Sequence, residues 1–447
     1  MSITFGKPRF VDEDEEPKGD GNSLPKFLVH FRRPDDYRGE FGFDWIRDEY
    51  IYPIVKVAID NNGNPINQLK PLCKDIQKLK NEYLKDTEHF SPYGIRYYPA
   101  WLSIFPFTTT KEFSYGSRMH KNGVNLNLEI EEIDAITLED IKIVFKSTND
   151  FLKITPSEIT ASEIISSPKK TKNIGGVSKN YYILKKKVNI KCIKGALDKH
   201  EQIKVFAERG DLKQQVGKLV VYKNNVIPKA EIVVVNVIKD PSNKAKLRND
   251  YQFLFKYQSF NQALIRAEVV VDTSFNLLEI PDDTDPDKYK LYNTPLLGAS
   301  EIRNIILRLY EKYGKYKPVG NIDSNNNKRT YLFYTDINSG GTNGISFLNR
   351  MNNVWGNYCV IFNSGLNSER TAIHECGHSL SLPHIFQEGG LSEHVFYQGY
   401  TDNYMDYDWK KVSAPDSSDN DFKGKMYSFF KWQWEIMRRD RSLIFNY

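Results

Sequence analysis

The sequence predicts a multidomain α+β protein, with a β-rich N-terminal region followed by a C-terminal region of alternating strands and helices. Three observations lead there. The chain has 447 residues, more than a single hydrophobic core usually organises. Between about residues 122 and 239, apolar and polar residues alternate at the period of a strand. Beyond residue 240 the rhythm changes, and runs with helical spacing appear between short apolar stretches.

Composition narrows the function classes. Hydrophobic residues at 40% and charged residues at 27% fit a globular protein and not a disordered one. A net charge of +5, with both signs mixed along the chain, supplies no dense basic patch, so no nucleic-acid partner is expected. No apolar stretch approaches the ~20 residues needed to cross a bilayer, so no membrane span is expected either. The cysteines Cys73, Cys192, Cys359 and Cys376 form no C-x-x-C pair. They are expected to be free buried thiols, as in a reducing compartment, and not a disulfide framework or a cysteine metal site.

Residues 1–24, with an acid run at 12–16, read as a flexible acidic tail. This start lacks the basic and apolar segments of a signal peptide. Residues 25–120 read as a mixed α/β domain with strands at 27–31, 50–59 and 97–107. Leu72, Ile76, Leu79 and Tyr83 mark its one amphipathic helix. The aromatic segment 39–45 suggests packing or an interface and carries no recognisable chemistry. Residues 121–240 alternate at Val124–Leu126–Leu128–Ile130, Ile141–Ile143–Phe145, Val188–Ile190–Cys192, Ile203–Val205–Ala207 and Leu219–Val221. Short strands with turns between them suggest an immunoglobulin-like sandwich, with 232–238 as a fully buried strand. Lysines at 169, 170, 172, 179 and 185–187 suggest a solvated face. Asp240-Pro241-Ser242-Asn243 reads as the linker to a third domain, 241–447. That domain carries strands at 264–271, 331–335, 344–348 and 358–362, and helices at 300–314, 368–382 and 423–439.

The third domain holds the chemistry. His374 and His378 are four residues apart, so a helix projects both imidazoles from one face. Both can then reach one zinc ion at about 2.0–2.1 Å. Glu375, beside the first histidine, can hold a water on the metal without filling a coordination position. Ser368 or Asn367 can cap the helix start, and Pro383 is expected to stop the helix so that His384 turns back as a third ligand. Three protein ligands leave the open position that a hydrolytic zinc centre needs. Glu388 and Glu393 are the alternative third ligands. Four of the eight histidines fall between 374 and 394, a clustering that random placement rarely gives.

The run from His374 to His384, followed by Asn403-Tyr404-Met405-Asp406-Tyr407, resembles the metzincin zinc metallopeptidases and their methionine turn. It looks most like the pappalysin branch, and the resemblance covers about residues 250–447. Ser381 stands where the family has glycine, at a position that often needs a left-handed backbone; serine there costs roughly 1–2 kcal/mol. The resemblance implies a metzincin-like catalytic domain with His374, His378 and His384 on zinc, Glu375 as general base, and Met405 beneath the metal. It also implies that Tyr407 binds zinc or stabilises the oxyanion, with a packed turn tyrosine as the plain alternative.

The function expected is therefore a zinc-dependent metalloendopeptidase acting on a protein or peptide substrate. Residues 341–348 would be the edge strand that pairs with an extended substrate. With no signal peptide expected, delivery by a specialised export route as a bacterial effector or toxin is the leading biological expectation, and cytoplasmic residence the other. In the first case the N-terminal β-rich region would meet secretion machinery or a target. Two rivals are a binding or delivery protein with a subsidiary zinc domain, and a zinc peptidase acting on cell-wall peptides.

Overall fold

Strict alternation produces the strands it predicts. In the computed structural model, which describes residues 23–109, 119–136, 140–281, 284–319, 328–346, 357–410 and 419–445, the protein is a mixed α+β structure built on more than one sheet. Nearly all of the expected acidic tail lies outside the described residues.

Eleven strands join through hydrogen bonds into one N-terminal sheet system. Its main path runs Lys170–Ile174, Val177–Cys192, Val124–Glu132, Phe27–Arg32, Leu212–Val221, Glu201–Arg209, Lys142–Ser147 and Glu158–Thr160. This path crosses the expected division at residue 120. Phe27–Arg32 pairs antiparallel with Val124–Glu132 and parallel with Leu212–Val221, and Ala100–Ser103 also joins Leu212–Val221. Register explains the union. Phe27, Val29 and Phe31 face inward with Leu128 and Ile130, so separating the two segments would expose apolar side chains on both. The solvated lysine face is a lattice of ion pairs. Lys169, Lys172, Lys179, Lys185, Lys186 and Lys187 each meet a carboxylate.

The second sheet has the order Arg266–Asp272, Lys229–Val237, Arg329–Thr335, Asn357–Ile361, Gly344–Ser346, with Leu443–Ile444 added against Lys229–Val237. The first four strands are parallel and Gly344–Ser346 runs antiparallel at the edge. Lys229–Val237 therefore opens this sheet, and the expected boundary at 240 falls after its first strand. Its unbroken apolar run follows from burial on both faces. Ile232 and Val234 join one core, while Val233 and Val235 join the other. Leu332 and Tyr334 against Tyr331 and Phe333, and Cys359 and Ile361 against Tyr358 and Val360, repeat the division.

Helices pack on both faces of this sheet. Ala299–Tyr313 lays Ile302, Ile305, Ile306 and Leu309 on one, and Glu369–Ser379 lays Ala372, Ile373 and Cys376 on the other. The core under Glu369–Ser379 continues without a break into the N-terminal sheet. Two elements differ from expectation. Residues 48–51 form a helical turn, because Tyr50 packs edge-on against Phe396 and Phe430 (ring centroids 5.1 and 5.8 Å) and Pro53 follows. The last helix is only Lys431–Met437. All four cysteines are free and buried, and no helix among the described residues is long and apolar enough to cross a membrane.

Candidate metal centre

Ser368 caps the Glu369–Ser379 helix, its side chain accepting from Thr371 N at 3.1 Å. One turn further, His374 and His378 project from the same face, as their spacing requires. The helix ends at Ser379, four residues before Pro383. Ser381 adopts φ +70°, Leu382 N donates to Gly377 O (3.0 Å), and Ser381 N donates to His378 O (2.9 Å). This is the pairing of a Schellman stop, with serine in the left-handed position that usually holds glycine. Ser381 Oγ donates to Asp440 Oδ2 at 3.2 Å, which offsets part of the conformational cost. The turn brings His384 back over the helix.

The three Nε2 atoms form a nearly equilateral triangle: 3.1 Å between His374 and His378, 3.1 Å between His378 and His384, and 3.2 Å between His374 and His384. Nitrogens about 2.0–2.1 Å from one tetrahedral ion stand roughly 3.3–3.4 Å apart, so the set is close to a metal's requirement. Tautomers agree with that use. His374 Nδ1 donates to Tyr404 O and His378 Nδ1 to Leu382 O, both at 2.7 Å. This leaves each Nε2 lone pair free to bind a cation. Burial, with the neighbouring histidines and Arg370, holds His374 well below the ordinary histidine range. Burial takes His378 down to about 4. All three are neutral donors at pH 7. Among the described residues this is the one His/Cys/Asp/Glu group of three able to hold a metal ion. Glu388, one of the two alternative ligands, pairs instead with Lys74, and neither it nor Glu393 belongs to the metal-capable group.

The remaining residues build the walls. Glu375 Oε2 accepts from Ser346 Oγ at 2.9 Å. Burial pushes its carboxyl up to about 7, against the Ser346 hydrogen bond and the charges of Arg370 and Arg303; a bound cation would draw it down again. The edge strand comes so close that a Cβ on Gly344 would lie 2.7 Å from Glu375 Cγ. Arg303 Nη1 donates to Ser346 O at 3.2 Å and anchors that strand from the helix behind it. The Tyr407 ring lies 4.9 Å from those of His384 and Phe386, and stacks on Trp409 at 4.8 Å. Below, Met405 is fully buried, and a Cβ on Gly377 would meet its sulfur at 2.5 Å.

The turn carrying Met405 is held by two side chains that sequence reasoning quoted without assigning a role. Asn403 Oδ1 accepts from Met405 N at 2.8 Å. Asp406 accepts from the backbone N of Gly399, Tyr400, Thr401 and Tyr407 and from Thr401 Oγ. Ser346 and Arg303 were also missed, because a strand's cross-sheet partners leave no local signal.

The three histidines, Glu375, Ser346 and Tyr407 line an open cleft of about 480 Å³ along residues 341–346. A larger cavity of about 1020 Å³ lies beyond Gly340, lined by Tyr292, Leu296 and Leu297 among others. The metal-capable histidine group lies in the smaller cleft, which is therefore the candidate site. No protein-family model matches this chain, and no curated protein matches it.

Proposed function

We propose that this protein is a zinc-dependent metalloendopeptidase, of metzincin type and nearest the pappalysin branch. The observation carrying the reading is that three imidazole nitrogens and one carboxylate meet in a single cleft beside an antiparallel edge strand. A zinc ion on His374, His378 and His384 would supply a Lewis acid and a water acidified towards about pH 7.

The chain's own groups then divide the work. The Glu375 carboxylate takes one proton and returns it to the leaving amine. Ser346 Oγ fixes the rotamer of that carboxylate. The Tyr407 phenol stands in the cleft wall as a donor for developing negative charge. Among the described residues Gly344–Ser346 pairs only with Asn357–Ile361, so its other edge is open to an extended peptide. An N-terminal immunoglobulin-like sandwich belongs to the same proposal. It is supported by a first strand, Phe27–Arg32, that pairs antiparallel on one side and parallel to the last strand on the other. The buried core continuous across both halves weighs against reading the N-terminal half as a separable binding module.

Gly344→Ala is expected to displace the Glu375 carboxylate by a few tenths of an ångström and lower kcat by about tenfold or more. Metal affinity should not change; steady-state kinetics with a metal titration check both. The reading itself is tested by digesting a peptide library and sequencing the products by mass spectrometry. Cleavage is expected, abolished by a chelator and restored by zinc. Cleavage indifferent to the chelator, or none with zinc bound, would sink it.

A further inference from the structure

We propose that Arg33 and Arg47, far outside the metal-binding motif, are positioning residues of the metal centre: they fix Asp402, and through its turn the orientation of His374. The proposal rests on the metal-centre reading above.

Asp402 is completely buried. A carboxylate in that position stays charged only with opposite charge and hydrogen bonds against it. Arg47 Nη2 meets Oδ1 at 2.7 Å, and Arg33 Nη2 meets Oδ2. Ser428 Oγ also donates to Oδ1, at 3.0 Å. The Trp45 ring takes the second positive charge of the cluster, with the Arg47 and Arg33 guanidinium carbons 4.6 and 5.3 Å from its centroid. This gives a role to Trp45, the last residue of the aromatic segment at 39–45.

From Asp402 the path to the metal site is two residues long. Ser428 N donates to Asp402 O (3.2 Å), and Tyr404 N donates to Ser428 O (2.9 Å). Tyr404 O then accepts from His374 Nδ1 at 2.7 Å. Rotating that carbonyl would rotate the imidazole or free it to the other tautomer. Outer-shell partners of this kind set ligand orientation and basicity. The cluster is also an expensive way to gain stability alone. Arg33 Nη1 and Arg47 Nε are buried without a hydrogen-bond partner among the described residues, and buried ion pairs contribute little net stability. Fixing a geometry explains their presence better.

The test uses the full chain and Co²⁺, whose visible absorption reports coordination geometry. Wild type is expected to bind one ion. Arg47→Ala is expected to weaken that binding by about tenfold or more and to change the absorption band, with Arg47→Lys recovering most of the loss. Should Arg47→Ala fail to fold, Arg47→Gln, which keeps a donor and loses the charge, carries the same expectation. Val205→Ala, a cavity in the N-terminal sheet, controls for general destabilisation: it should lower Tm and leave cobalt affinity unchanged. Cobalt affinity and spectrum equal to wild type in the arginine variants would overturn the proposal. So would a Val205→Ala loss matching theirs. A wild-type chain that takes up no cobalt would overturn the metal reading and this proposal together.

Discussion

Replacing Glu375 with glutamine is expected to lower kcat by roughly 10²–10⁴-fold, the usual contribution of a positioned general base, while the metal stays bound. Glutamine has nearly the same volume and can still accept from Ser346 Oγ through its carbonyl, so the hydrogen bond at 2.9 Å and the closeness of Gly344 are preserved. Only the capacity to take a proton is lost. His374 and His378 are oriented by bonds from Nδ1 to Tyr404 O and Leu382 O, neither of which involves Glu375. Single-turnover cleavage beside a metal titration separates the two effects. An E375Q protein with wild-type kcat would remove Glu375 from the chemistry. One that has lost its metal would make the residue structural.

The second large effect is expected at Asp406. Its carboxylate is fully buried and receives hydrogen bonds from Gly399 N (2.7 Å), Tyr400 N (3.2 Å), Thr401 N (2.9 Å), Thr401 Oγ (2.8 Å) and Tyr407 N (2.8 Å). Asp406→Ala leaves all five donors without that acceptor in a place water does not reach. Each orphaned donor costs about 1–3 kcal/mol before relaxation, so a loss on the order of 3–5 kcal/mol is expected after the turn has adjusted. Asparagine should rescue little, because its amide nitrogen would point hydrogens at donors. The damage should also reach function, since Asp406 and Asn403 flank Tyr404 and Met405, which orient and underlie the histidines. Urea denaturation of both variants measures the loss; stability within about 1 kcal/mol of wild type would show that the turn is held by something else.

The histidine cluster was legible because its information is local. Two histidines four apart on a helix, a carboxylate between them and a third histidine after a turn are all read within eleven positions. Even the unusual serine was legible: Ser381 takes the left-handed conformation that the glycine position demanded, anchored by Asp440. What the sequence hid was long-range. Arg33 and Asp402 are 369 positions apart, and nothing in either neighbourhood announces the other.

The strand pairings that run across positions 120 and 240 were hidden for a related reason. A strand buried on both faces, such as Lys229–Val237, loses the alternation that would assign it to a sheet. Phe27–Arg32 alternates well, yet its partners, Val124–Glu132 and Leu212–Val221, lie far along the chain. The turn at Tyr50 shows tertiary packing overriding a β-favouring local composition.

The account stands or falls on metal binding at His374, His378 and His384. The most direct measurement is elemental analysis of the purified chain, wild type beside His384→Ala, after equilibration with a slight excess of zinc and removal of the unbound ion. One zinc per wild-type chain, and a clear loss in His384→Ala with the fold intact by circular dichroism, is the predicted result. No zinc in wild type, or the same zinc content in both proteins, would contradict it.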